Sequence, residues 1–280
     1  MSSVADKLIT IAENQQKVFE AGKKSGGGGG GYDEGYQDGY NDGEIDGWNS
    51  GYESGYESGH VGGYQYSQQE FWDAYQQSGS RTDYTMAFAG NGWNAETFRP
   101  KYDMQPTALN TAFYGFNGQS RSNTIDLVAA LEECNVTLDT SKCTNFASTF
   151  MSSSITRVGT IDMTKATGTV SGTFYAQMLV TIEKWIVPEG LAFGSNFFQM
   201  AYDLENVVVE GTIGSALDMH WSSKLSKASI KSVINALSST ASGKTLSLSK
   251  TAVTNAFGST TAAEWTALVG TKSNWTITLV

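Results

Sequence analysis

Two six-residue segments 23 residues apart match when one is laid over the other: Thr137-Leu138-Asp139-Thr140-Ser141-Lys142 and Thr160-Ile161-Asp162-Met163-Thr164-Lys165. A second series keeps nearly the same step. Phe150 stands five residues before Ile155 and eight before Val158, and Phe174 stands five before Leu179 and eight before Ile182, a step of 24. Leu204 and Val207 continue at 25, and Thr107-Ala108-Leu109-Asn110-Thr111-Ala112-Phe113 opens an earlier unit that an insertion before Leu131 lengthens. A unit of this size buries its apolar side only against the units before and after it, so a period of 20–29 residues commits the chain to stacking.

The expected fold class is therefore an α/β repeat. The period is that of a short leucine-rich-repeat-like solenoid of four or five coils, placed at 105–222, with one short strand per coil in a parallel ladder, for example around Ile161, Ile186 and Ile213. Such a stack needs covered ends. The amphipathic stretch Ala228–Leu237 predicts a closing helix, and Thr245–Leu248 and Trp275–Leu279 read as final strands, together a C-terminal cap over 223–280. At the other end Phe71, Trp72 and Tyr75 share helical spacing, and Tyr84, Phe88, Trp93, Phe98 and Tyr102 follow. They make 67–104 an aromatic connector and N-terminal cap.

Residues 1–24 carry Val4, Leu8, Ile11, Gln15 and Val18 at heptad spacing. Three heptads melt alone, so this coiled-coil segment predicts a homo-oligomer, in the first place a trimer, with Gln15 fixing register. A single amphipathic helix docked on another protein is the alternative. Residues 25–66 open with a glycine hinge and then place Gly at every fourth position from 31 to 63, usually followed by an aromatic, as in Gly35-Tyr36, Gly39-Tyr40, Gly51-Tyr52 and Gly55-Tyr56. Nine glycines oppose a lone helix by about 9 kcal/mol at ~1 kcal/mol each. Glycines four apart also let helices approach closely, so the expectation is a self-associated right-handed stalk, with a flexible acidic linker as the competing reading.

The formal charge is −10, and residues 31–64 hold eight acidic groups with no Lys or Arg. No basic stripe is present to make the footprint of a nucleic-acid binder. The start Met1–Lys7 lacks the pattern of a secretory signal, and no apolar run nears the roughly 20 residues that span a bilayer, so neither own-signal export nor membrane insertion is expected. Two cysteines, Cys134 and Cys143, are too few for a disulfide framework and are expected as small buried apolar side chains. His60 and His220 are far apart, Asp33, Asp38, Asp42 and Asp46 miss the every-second-residue spacing of a calcium loop, and no phosphate loop, zinc spacing or nucleophile elbow occurs. No catalytic residue, cofactor or metal is expected, and the chain is expected to bind or display, not to catalyse.

The repeats also resemble those of BspA-like leucine-rich-repeat proteins, in Thr144-Asn145-Phe146-Ala147-Ser148-Thr149-Phe150, in Ile155-Thr156-Arg157-Val158, and in the ending Ser273-Asn274-Trp275-Thr276-Ile277. The opening Ala5-Asp6-Lys7-Leu8-Ile9-Thr10-Ile11-Ala12-Glu13-Asn14, with Lys17-Val18-Phe19-Glu20-Ala21-Gly22, looks like the start of such proteins encoded by phages and prophages of gut bacteria. The Gly-Tyr segment departs from that pattern. The resemblance implies a virion-associated protein of a tail fibre, baseplate or appendage. Its implied partners are further copies of itself, other virion proteins, and a host surface protein or glycan, the ligand-binding residues being unknown. The alternative is a bacterial cell-surface adhesin.

Overall fold

The computed structural model describes residues 72–280, apart from 74, 91, 92, 95, 118–120, 168, 169 and 195. The chain divides into two units, Met1–Gly62 and Gly63–Val280, and all described residues belong to the second. The expected coiled coil over 1–24 and the Gly-Tyr segment over 25–66 lie outside the described residues.

The second unit is α/β with two parallel sheets. In the first, β1 (Ile125–Asp126), β2 (Ile155–Asp162), β3 (Thr181–Val187) and β4 (Asn206–Gly211) lie side by side in sequence order. In the second, β5 (Leu217–Met219), β6 (Lys244–Leu248) and β7 (Trp275–Leu279) do the same. Val158 pairs with Ile182 and Ile182 with Val207, so the register reproduces the steps of 24 and 25 in the sequence. The inward residues Ile155, Val158 and Ile161 of β2 and Ile182, Trp185 and Val187 of β3 are buried. The added length expected before Leu131 falls instead around it: Leu131 lies within helix α1 (Leu127–Glu133), capped by Asp126, whose carboxylate accepts from the Ala129 N–H at 3.0 Å.

Ahead of each strand of the first sheet the chain passes through a run of tight turns centred on a phenylalanine. Phe88, Phe113, Phe150, Phe174 and Phe198 are fully buried and stack in a column, with ring centroids 5.1, 5.4, 5.9 and 5.3 Å apart and planes 31°, 17°, 6° and 16° from parallel. The backbone beside them divides its donors in two. One N–H bonds back within its own turn, as Ala112 to Leu109, Tyr114 to Thr111, Thr149 to Phe146 and Met151 to Ser148. The next donates across to the following unit, as Leu109 to Asn145, Thr111 to Ala147, Phe113 to Thr149, Ser148 to Ser171 and Phe150 to Thr173. Irregular backbone is thereby buried with its polar groups satisfied. Met86, Thr111 and Ser148 hold positive φ at the same place in successive turns, and Gly172 occupies that place in the next.

The same inter-unit bonding begins inside the aromatic connector. Asp83 bridges Ala108, which bridges Asn145, and the Tyr84, Met86, Phe88 and Gly90 amides donate to Ala108, Asn110, Ala112 and Tyr114. Tyr75, Tyr84, Phe88 and Phe98 are fully buried, and Trp72 and Trp93 pack against them. Of the two cysteines, both free, Cys143 is buried, with its thiol pushed up to about 11 by burial, whereas Cys134 is only half-buried.

The third expected strand does not centre on Ile213. β4 ends at Gly211, where φ is 89° and a Cβ would meet the Val187 carbonyl oxygen at 2.2 Å. The chain turns there, and Ile213, though buried, makes only an isolated bridge to Leu237. The helix expected over Ala228–Leu237 is α2 (Lys227–Ala236), which buries Ile230, Val233 and Ile234. It lies along β4, and the hydroxyls of Ser229 and Ser232 accept from the N–H groups of Val207 and Val209 at 2.9 and 2.8 Å, on the edge away from β3. Past it the chain runs through β6, helices α3 (Lys250–Phe257) and α4 (Ala263–Gly270), and β7. Both expected final strands form.

Phe150 sits between Phe113 and Phe174, so truncation opens a cavity in the middle of the column. Phe150→Ala is expected to lower stability by about 3–5 kcal/mol, read from chemical denaturation, and Phe150→Leu by clearly less.

Candidate functional site

Where the turns and sheets are used up by packing, function falls to the outward side chains. The oligomerisation residues expected from sequence, Val4, Leu8, Ile11, Gln15, Val18, Gly35, Tyr36, Gly39, Tyr40, Gly51, Tyr52, Gly55 and Tyr56, lie outside the described residues, as does His60. Among the described residues no three His, Cys, Asp or Glu side chains are grouped to hold a metal ion, and no helix is long and apolar enough to cross a membrane.

Two surfaces stand out among the described residues. The outer face of the first sheet carries crossed ion pairs. Arg157 reaches Asp126 on one side at 3.2 Å and Glu183 on the other, through its Nε at 2.9 Å, and Lys184 meets Glu210 at 2.8 Å. Asp126 is the direct register partner of Arg157, and the other two pairs are diagonal neighbours across adjacent strands, which brings each within reach. Val208, half exposed on β4, adds an apolar spot to the surface. Such open pairs contribute little to stability, so this face is a patterned polar surface available for contact.

The second surface follows β5. Strand alternation puts Leu217 and Met219 inward and Asp218 outward, and the turn beginning at His220 leaves Trp221 partly exposed. The Asp218 carboxylate accepts the His220 backbone N–H at 3.1 Å and holds His220 Nδ1 at 2.6 Å. The imidazole lies against the Trp221 indole, with centroids 4.7 Å apart, and the Tyr202 ring meets that indole edge-on at 5.5 Å. Next to Tyr202, Asp203 is buried and takes Lys224 on one carboxylate oxygen and Arg121 on the other, each at 2.7 Å.

Sequence reasoning singled out His220 only to reject it as half of a catalytic pair. It missed Tyr202, Asp218 and Trp221. The available signal was the Asp-x-His-Trp string, in which strand alternation breaks at an aromatic residue.

Comparisons with protein-family models, with curated proteins and with solved structures find no match for this chain.

Burial raises the Asp203 pKa, but the hydrogen bonds from Lys224 and Arg121 outweigh it and hold the carboxyl below its usual value. A depressed carboxylate contributes stability that is present above the ordinary aspartate range and lost as pH falls below about 4. Asp203→Asn is expected to destabilise by about 1–3 kcal/mol at pH 7. Its thermal midpoint should also fall less than that of the native protein between pH 6 and pH 3, measured by calorimetry.

Proposed function

We propose that the repeat region is a short leucine-rich-repeat-like solenoid and that the chain is a virion-associated structural and binding protein. In this reading residues 1–66 join several copies, in the first place three, and fix them to other virion proteins. The repeat heads are presented outward to a host surface protein or glycan. The role is binding and display, with no reaction assigned.

The observation that carries the reading is the agreement of repeat and register. Val158, Ile182 and Val207 stand side by side at the steps of the sequence repeat, while one phenylalanine per step stacks on the next. A stack of this kind commits its inward residues to neighbours and leaves whole outward faces for recognition. The resemblance to BspA-like proteins of phages supports the assignment to a particle, and display in several copies strengthens weak single sites.

Multi-angle light scattering tests the arrangement: the full chain is expected to be a trimer and a chain beginning at residue 67 a monomer. A monomeric full chain overturns the stalk reading. Mass spectrometry of purified phage particles tests the location, with the chain expected at a fixed ratio to tail or capsid proteins. Its absence from the particles while it is abundant in the lysate overturns the virion assignment.

A further inference from the structure

Six tryptophans fall among the described residues, and five of them serve the core. Trp185, Trp265 and Trp275 are buried in it, and Trp72 and Trp93 pack against it, whereas Trp221 does neither. An indole has about 150–250 Å² to bury, and Trp221, though only partly exposed, spends its contacts outside the core cluster, which leaves part of the ring open to another role. A scattered surface ring is ordinary, but Trp221 is not scattered. His220 lies against it and Tyr202 meets it edge-on, and His220 is itself tied down at Nδ1 by Asp218. The result is a braced aromatic platform that loses little freedom on binding.

Polar groups surround it. His220 keeps Nε2 as the ring's remaining hydrogen-bonding atom, Asp218 has a second carboxylate oxygen, and Tyr202 has its hydroxyl. Beside them Lys224 and Arg121, both about half exposed or more, converge on Asp203. A ligand suited to this arrangement has one flat face of C–H groups and a rim of hydroxyls. A peptide side chain seldom offers both, and a pyranose ring does.

We propose that Trp221, with Tyr202, His220 and Asp218, forms a saccharide-binding site, in which the indole stacks on the apolar face of a sugar ring and the polar groups bond its hydroxyls. The proposal rests on the display reading for its purpose and names the ligand class of that display. Its test does not depend on that reading, because it uses free sugars and requires no particle or host cell.

Saturation-transfer NMR on the full chain, with methyl glucoside, N-acetylglucosamine and N-acetylneuraminic acid as probes, reads the site directly. Transfer to the ring protons of at least one sugar is expected. Trp221→Ala should weaken that binding at least tenfold, and Trp221→Phe less. Far-UV circular dichroism should stay unchanged in both, and the thermal midpoint should fall only slightly, since Trp221 is partly exposed and lies outside the core cluster. Asp218→Asn, which loosens the hold on His220, should weaken binding without abolishing it, which keeps the test informative if Trp221→Ala folds poorly. No transfer to any of the three sugars, or transfer that both Trp221→Ala and Asp218→Asn leave intact, overturns the site. So does a sedimentation shift between native protein and Trp221→Ala without sugar binding, which would mark the patch as a contact between copies. None of these failures touches the light-scattering or particle experiments.

Discussion

The column of stacked phenylalanines is the contact on which the rest depends. A repeat unit of this chain is too small to enclose a core, so its apolar side chains have nowhere to go except onto the next unit. Phe113, Phe150, Phe174 and Phe198 meet that requirement with near-parallel rings at 5.3–5.9 Å. Once that spacing is set, the strands that follow arrive at pairing distance and the turn amides find acceptors one unit on. Buried Thr149 and Thr173 lie in the same layer, their hydroxyls within reach of carbonyls both in their own turn and in the unit before. Apolar stacking supplies the drive, and the hydrogen bonds restrict it to a single register.

Much of this was legible in the sequence because periodicity is a direct readout of stacking. The steps of 24 and 25 became strand register, and the amphipathic stretch near residue 230 became a helix. Backbone conformation was less legible. Left-handed φ is usually announced by glycine, yet Met86, Thr111 and Ser148 adopt it here, and only Gly172 advertises the position. Bonds to the next unit override local preference at those residues, and a single sequence does not display bonds between units. The end of β4 was misplaced for a related reason: Gly211 and Gly214 each pass too close to a carbonyl of the preceding unit for a side chain, a contact that no local pattern encodes.

The surface was the least legible part. A tryptophan in a chain with this apolar period reads as core, and most of those among the described residues are core; Trp221 lies outside it because β5 ends two residues earlier. Asp218 and His220 are brought together because the Asp218 carboxylate holds the turn that follows β5, and Trp221 reaches the same region because the strand has stopped. Asp203 carries no local signal of its burial, because the two cations that hold it come from residues 82 and 21 positions away in the chain.

The two serines of α2 have a consequence for how a protein like this changes over time. A parallel sheet built from equal units has no internal reason to stop at four strands. Here the stop lies in Ser229 and Ser232, which occupy the donors that would otherwise recruit another strand, from this chain or from a neighbour. Because the terminator is separate from the units it terminates, whole units can be duplicated or deleted upstream while the finished edge stays the same. The length of the first sheet is thus free to vary without exposing an aggregation-prone edge at its β4 side.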